Sequence, residues 1–179
     1  MGRIVDGMDR VTVSTANLRG IEALSVSVEI SLSGGIPGLT IVGMPDGAVL
    51  EARSRIRCAI ASCGFETPRL HVTVNLAPAD MKKSGTAFDL PIAAAILCAT
   101  GQVPVERLDG ALLFGELALD GTVRPVRGSV AYGLLARELG LLPCSADDSC
   151  IAGENLPSWG LSSLRDLLGS RRPMSLELA

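Results

Sequence analysis

The sequence predicts an α+β fold, a mixed sheet with packed helices. Two kinds of segment lead there. Stretches 11–15, 23–30 and 71–76 alternate apolar and polar residues with the period of two that a half-buried strand requires. Stretches 46–63, 86–99 and 130–138 carry helical composition and end at glycine, threonine or a polar residue. Strands are therefore joined both locally and through helices, which a purely parallel or purely meandering sheet would not show.

The elements follow in order. Val11–Thr15 is a first strand, and Ala23–Ile30 a longer second one with Leu24, Val26, Val28 and Ile30 on one face. Gly34, Gly35, Pro37 and Gly38 make a turn-rich loop before a short apolar strand, Leu39–Val42. Helix 46–63 has Asp46 as its N-cap, a stripe of Val49, Ile56, Ile60 and Cys63, and Gly64 just past its end. His71–Leu76 is a β-branched strand. A loop over Ala77–Gly85 leads into a helix that starts at Thr86 or Asp89 and ends at Ala99. Ala111–Leu119 and Thr122–Val126 flank Asp120-Gly121, a dipeptide favoured in two-residue hairpin turns. A helix over Val130–Glu138 ends at Gly140, Leu141–Cys144 is a short strand, and Ser162–Leu168 a last short helix closed by Gly169. The expected organisation is an N-terminal extension over 1–10, one domain over 11–170, and a tail or linker over 171–179.

Composition excludes several classes. With 179 residues, 47% hydrophobic and 20% charged, the chain has material for one core and is unlike a disordered segment. Its longest uncharged runs, Ile30–Pro45 and Leu90–Val105, are interrupted by glycine or proline and fall short of the ~20 apolar residues of a bilayer span. The first ten residues carry Arg3, Asp6, Asp9 and Arg10 and no apolar signal core, so a cytoplasmic location is expected. Aromatic residues are only 3% of the chain, too few for base-stacking platforms. The net charge of −3 excludes a chain that is basic throughout. The five cysteines are odd in number, lack a Cys-x-x-Cys pair and sit in apolar stretches, so buried reduced thiols are expected.

The chemistry-bearing motifs are mostly negative. A phosphate-binding loop needs glycine directly before its lysine, but Lys82 follows Met81 and Lys83 follows Lys82. No two glycines are spaced two apart, which removes the dinucleotide fingerprint. The single histidine, His71, shares its strand face with Thr73 and Asn75 and reads as a rim residue rather than a metal ligand or triad base. Glu116 and Asp120 flank a turn whose geometry accounts for Asp120. No catalytic, cofactor or metal residue is assigned. The candidate contact surface, for phosphate or a neighbouring subunit, comprises Arg53 and Arg57 one helical turn apart, Lys82 and Lys83 on an exposed loop, and Arg124 and Arg127 around Pro125. Arg55 is expected to pair with Glu51.

Three separated segments, Ile41–Asp46, Asn75–Ile92 and Gly115–Gly128, resemble in order and sequence the N-terminal domain of the magnesium-chelatase-like AAA+ proteins, the ComM/YifB family. The resemblance runs from about Val11 to Leu168. It implies a ribosomal protein S-five domain 2-like fold of the Lon protease domain type, placed before an ATPase module that would bind ATP and Mg. It further implies a hexameric motor for DNA branch migration in natural transformation, with that module, further copies of the chain and DNA as partners, and no membrane. Lon peptidases are similar in carrying a nucleophilic serine where this chain has Ala87, and a lysine after the Gly-Glu hairpin where it has Arg127-Gly-Ser. Ser84 beside Lys83 is the remaining dyad candidate, and nothing in the sequence desolvates that lysine. A non-catalytic assembly and coupling domain is therefore expected, with direct DNA binding as the alternative.

Overall fold

The computed structural model describes residues 10–146 and 157–169. Expectations for 1–9, for Cys150 and for the tail over 171–179 lie outside the described residues. The first strand, β1 (Val11–Arg19), and the second, β2 (Glu22–Ser33), pair antiparallel in unbroken register from Val11 opposite Ile30 to Arg19 opposite Glu22. Both outrun their predicted ends. β1 continues because Thr15, Ala16 and Asn17 are all buried and serve different neighbours.

The edge strand β3 (Gly38–Val42) connects through α1 (Gly47–Ser62) to β4 (His71–Ala77), which lies parallel beside it. The Asp46 cap forms as predicted, its carboxylate accepting from the Val49 amide at 2.9 Å. Gly64 takes the left-handed conformation just past the helix, φ +79°. Then α2 (Asp89–Ala99) leads to β5 (Ala111–Leu113). A two-stranded ribbon of β6 (Glu116–Leu117) and β7 (Val123–Arg124) precedes α3 (Ser129–Leu139), β8 (Leu142–Ala146) and β9 (Trp159–Leu161). The main sheet has seven strands in the order β3-β4-β2-β1-β5-β8-β9. β2 alone runs against the other six.

Helices α1 and α2 cover one face. There Val26, Val28, Ile30, Val72, Val74 and Leu76 meet Ile56, Ile60 and the whole of α2, of which every residue is buried. Helix α3 covers part of the other face, over Ala16, Leu112 and a stacked pair, Phe114 and Tyr132, with ring centroids 4.3 Å apart. The architecture is α+β with a mixed sheet, as the alternation of patterns predicts.

Several sequence expectations are corrected. The stretch 111–119 is not one strand: β5 belongs to the large sheet and β6 to the ribbon, with Phe114 and Gly115 between them. The turn after β6 is not a two-residue one, since Ala118 donates to Thr122 and Gly121 donates to Ala118, enclosing three residues. Gly121 sits there at φ +89°, where a Cβ would lie 2.1 Å from the Cys63 sulfur. The last helix is a 3-10 turn over Leu164–Leu168, started by a Ser163/Asp166 capping box. β9 and a 3-10 turn over Val105–Leu108 have no counterpart among the elements the sequence predicts. Cys58 is exposed, whereas Cys63, Cys98 and Cys144 are buried.

Burial pushes the Cys98 thiol up to about 12. Peptide mapping after brief treatment of the native protein with an alkylating reagent is therefore expected to find the label on Cys58, with Cys63, Cys98 and Cys144 modified only in denaturant. Equal labelling of Cys98 and Cys58 would contradict this packing.

Candidate functional site

The segments 41–46 and 75–85, well separated in sequence, form one unit. Lys83 is fully buried, and its ammonium donates to the Gly43 carbonyl at 2.7 Å and to the Pro78 carbonyl. The backbone repeats the tie: the Lys83 amide donates to Met44 O at 3.0 Å and the Asp46 amide donates to Lys83 O at 2.9 Å. Gly43 is required here. Its φ is +102°, and a Cβ would lie 2.2 Å from the Leu76 carbonyl oxygen. The buried Asn17 holds the same loop from β1, donating to Lys82 O and accepting from the Ser84 amide, each at 3.1 Å.

Lys83 is therefore not part of an exposed basic surface, and the expectation that nothing desolvates it is also overturned. Burial lowers its pKa, against the opposing pull of Asp80. The carbonyls around its ammonium take the place of water. Those hydrogen bonds aim Nζ at residues 43 and 78, while Ser84 lies on the exposed side of the loop.

A second buried charge sits at the start of α2. Asp89 is 0% exposed and accepts from Arg55 Nε at 2.6 Å, from Arg55 Nη2 at 3.0 Å and from the Leu117 amide at 3.1 Å. The fork joins α1, α2 and β6. Burial pushes the Asp89 carboxyl up, opposed by Arg55 and the Leu117 amide; the hydrogen bond to Asp89 raises Arg55. Arg55 also stands 3.9 Å from Glu51, the predicted partner, but Glu51 is 77% exposed and the pair is peripheral. Sequence reasoning missed the Asp89 contact. The available signal was a lone carboxylate opening the otherwise apolar run 90–99, which needs a cation once buried.

A separate open groove is bordered by Ser84, Thr86, Ala87, Glu116, Arg127 and Tyr132. Ala87 lines it with a methyl group. Arg124 faces Glu116 at 3.9 Å on its rim. Arg53 and Arg57, both exposed, border a different cleft together with Leu39 and Cys58. Lys82 is exposed beside Ser84. The structure thus brings Arg53 and Arg57 together, sets Arg124 and Arg127 by the groove, and removes Lys83 from the surface. His71 Nε2 lies 3.0 Å from Thr40 Oγ1 on the uncovered sheet face, as its strand parity predicts. Among the described residues, no group of histidine, cysteine, aspartate and glutamate is placed to hold a metal, and no helix is long and apolar enough to cross a membrane.

The sequence of this α+β domain has a counterpart among known families. Residues 28–143 match the family model described as subunit ChlI of Mg-chelatase, and the chain belongs to that magnesium chelatase-like family. Within it, the chain is similar to proteins named YifB and ComM. It is 40% identical over 156 residues to the YifB protein of Salmonella typhimurium, which spans 87% of this chain and 30% of that protein. It is 47% identical over 119 residues to YifB of Escherichia coli, covering 66% of this chain and 24% of the relative. To the competence protein ComM of Haemophilus influenzae it is 40% identical over 139 residues, 75% of this chain and 27% of the relative. The chain spans about 30% of the length of the first curated relatives it matches.

Two variants probe the buried charges by urea denaturation. Lys83→Met strips the Gly43 and Pro78 carbonyls of a charged donor and is expected to cost about 3 kcal/mol; a loss below about 0.5 kcal/mol would contradict the cradle. Arg55→Met leaves the Asp89 carboxylate buried without its cation and is expected to cost about 3–5 kcal/mol at neutral pH. In that variant the Asp89 pKa rises further above its unfolded value. Its stabilising contribution is then present at low pH and lost as pH rises through the folded value, so the deficit shrinks toward pH 4. A deficit of constant size from pH 4 to 8 would be inconsistent with an unpaired buried carboxyl.

Proposed function

We propose that this chain is a non-catalytic accessory domain, over 11–170, of a chelatase-like AAA+ ATPase, with a Lon protease domain-like fold. In the longer polypeptide it serves ring assembly and couples to a cytoplasmic, hexameric, ATP- and Mg-dependent motor that drives DNA branch migration during natural transformation. The observation that carries this reading is the relationship to ComM and YifB proteins more than three times the length of the matched segment. The competence role enters through the name of the Haemophilus relative.

The geometry supports a binding rather than a reacting role. Ala87 brings no hydroxyl to the groove, and the Lys83 ammonium is directed to main-chain carbonyls. A serine–lysine mechanism needs a neutral lysine next to its nucleophile. No Gly-Lys step exists for a phosphate loop in this chain. Direct DNA binding is the second reading, favoured by the exposed pair Arg53 and Arg57 on one helix. Against it stand the net charge of −3, the loss of Lys83 from the surface and the ion pair between Arg124 and Glu116.

The purified chain is expected to hydrolyse neither ATP nor casein, and to bind branched or single-stranded DNA at about 50 mM salt no more tightly than a nonspecific anion partner. In the full-length protein, removal of residues 11–170 is expected to abolish the ATP-dependent hexamer in sedimentation. A deletion that retains both ring and branch migration would sink the assembly role. Casein cleavage lost on Ser84→Ala would replace it with a peptidase.

A further inference from the structure

The outer edge of β3 pairs with no described strand, and nothing in Gly38–Val42 protects it. The strand carries no charge, its neighbour Ile36 is 88% exposed, and Val42 on the strand itself is 42% exposed. An unguarded, apolar edge is a template for another strand. Beside it, toward α1, lie two adjoining clefts. One, of about 230 Å³, is apolar and lined by Pro37, Leu39, Ile56, Ile60 and Val72. The next, of about 360 Å³, shares Leu39 and Arg57 with it and is bordered by Arg53 as well. Neither arginine has an acidic partner among the described residues; the Arg53 side chain donates only to the Leu50 carbonyl.

We propose that β3 is a strand-addition site for an extended, acidic protein segment. The added strand takes the free main-chain groups of β3. Because alternate side chains of a strand share a face, two residues of that segment, spaced i and i+2, point toward α1. One is apolar and fills the cleft over Leu39, Ile56 and Ile60; the other is aspartate or glutamate and meets Arg53 and Arg57. Charge selects the occupant. A second copy paired β3 to β3 would set the exposed Arg53 and Arg57 of one chain toward those of the other, and a nucleic acid would leave both the strand edge and the apolar cleft unfilled. This site lies apart from the groove at Ala87 and is independent of the role proposed above.

The test uses a short capped peptide alternating threonine with valine, glutamate and valine, titrated into the isotopically labelled chain and followed by amide chemical shifts. Expected are a Kd of about 100 µM, shifts confined to residues 36–42 and 53–58, and at least a tenfold loss in the Arg53→Glu/Arg57→Glu variant. The same peptide with lysine for glutamate should not bind, and Arg19→Glu/Arg127→Glu, the same charge change elsewhere, should leave affinity unaltered. Shifts centred on another surface, a Kd above about 1 mM, or indifference to either charge reversal would overturn the proposal. So would sedimentation showing that the free chain already dimerises through β3, or single-stranded DNA moving the same amides in place of the peptide.

Discussion

An ammonium taken out of water must find oxygen atoms to replace it, and Lys83 finds them on the main chain of two separate loops. The Gly43 carbonyl comes from the end of β3 and the Pro78 carbonyl from the end of β4, so one side chain fixes the relation between the two strand ends. Asp46, hydrogen-bonded to the Lys83 carbonyl, then stands where it caps α1, and Ser84, held by Asn17, starts the approach to α2. The entry points of both helices on that face are thus set from one place. A neutral apolar side chain of similar volume would fill the space and leave both carbonyls bare.

The Arg55–Asp89 fork performs the complementary task further along the same helices. Helix α2 is buried at every position, so no polar face marks its rotation about its own axis. Asp89 supplies one, since its carboxylate must face Arg55 on α1 and the Leu117 amide on β6 at once. Directional polar contacts in an otherwise aliphatic interior specify one arrangement among several that would bury equal area.

Much of this was legible from residues alone. Alternation located β1, β2 and β4, and the Asp46 and Gly140 termini came from cap chemistry. What escaped depended on partners distant in sequence. Lys83 looks like half of a basic dipeptide in a polar loop, and only the return of residues 43–46 encloses it. Asp89 looks like a cap, and its actual role is set by Arg55, 34 residues earlier. The split of 111–119 follows from Gly115, whose carbonyl is taken by the Leu90 amide and whose own amide donates to Ala87. Those bonds draw the chain out of the large sheet, a tertiary effect with no local periodicity to announce it. The candidate surface was half readable for the same reason: Arg53 and Arg57 share a helix face by spacing, whereas the strand edge beside them exists only once the sheet order is known.

The lone antiparallel strand also orders how such a sheet can be assembled. β1 and β2 are joined by two residues, so their long ladder closes almost no loop, whereas the parallel pairs β3–β4 and β5–β8 each wait for a helix to cross over. β2 then offers its other edge to β4, and β1 offers its other edge to β5. The hairpin stands between both wings of the sheet, one on each side, and is the ladder with the smallest loop to close. Its cohesion bears on the rate at which the domain reaches its folded state as well as on the stability of that state.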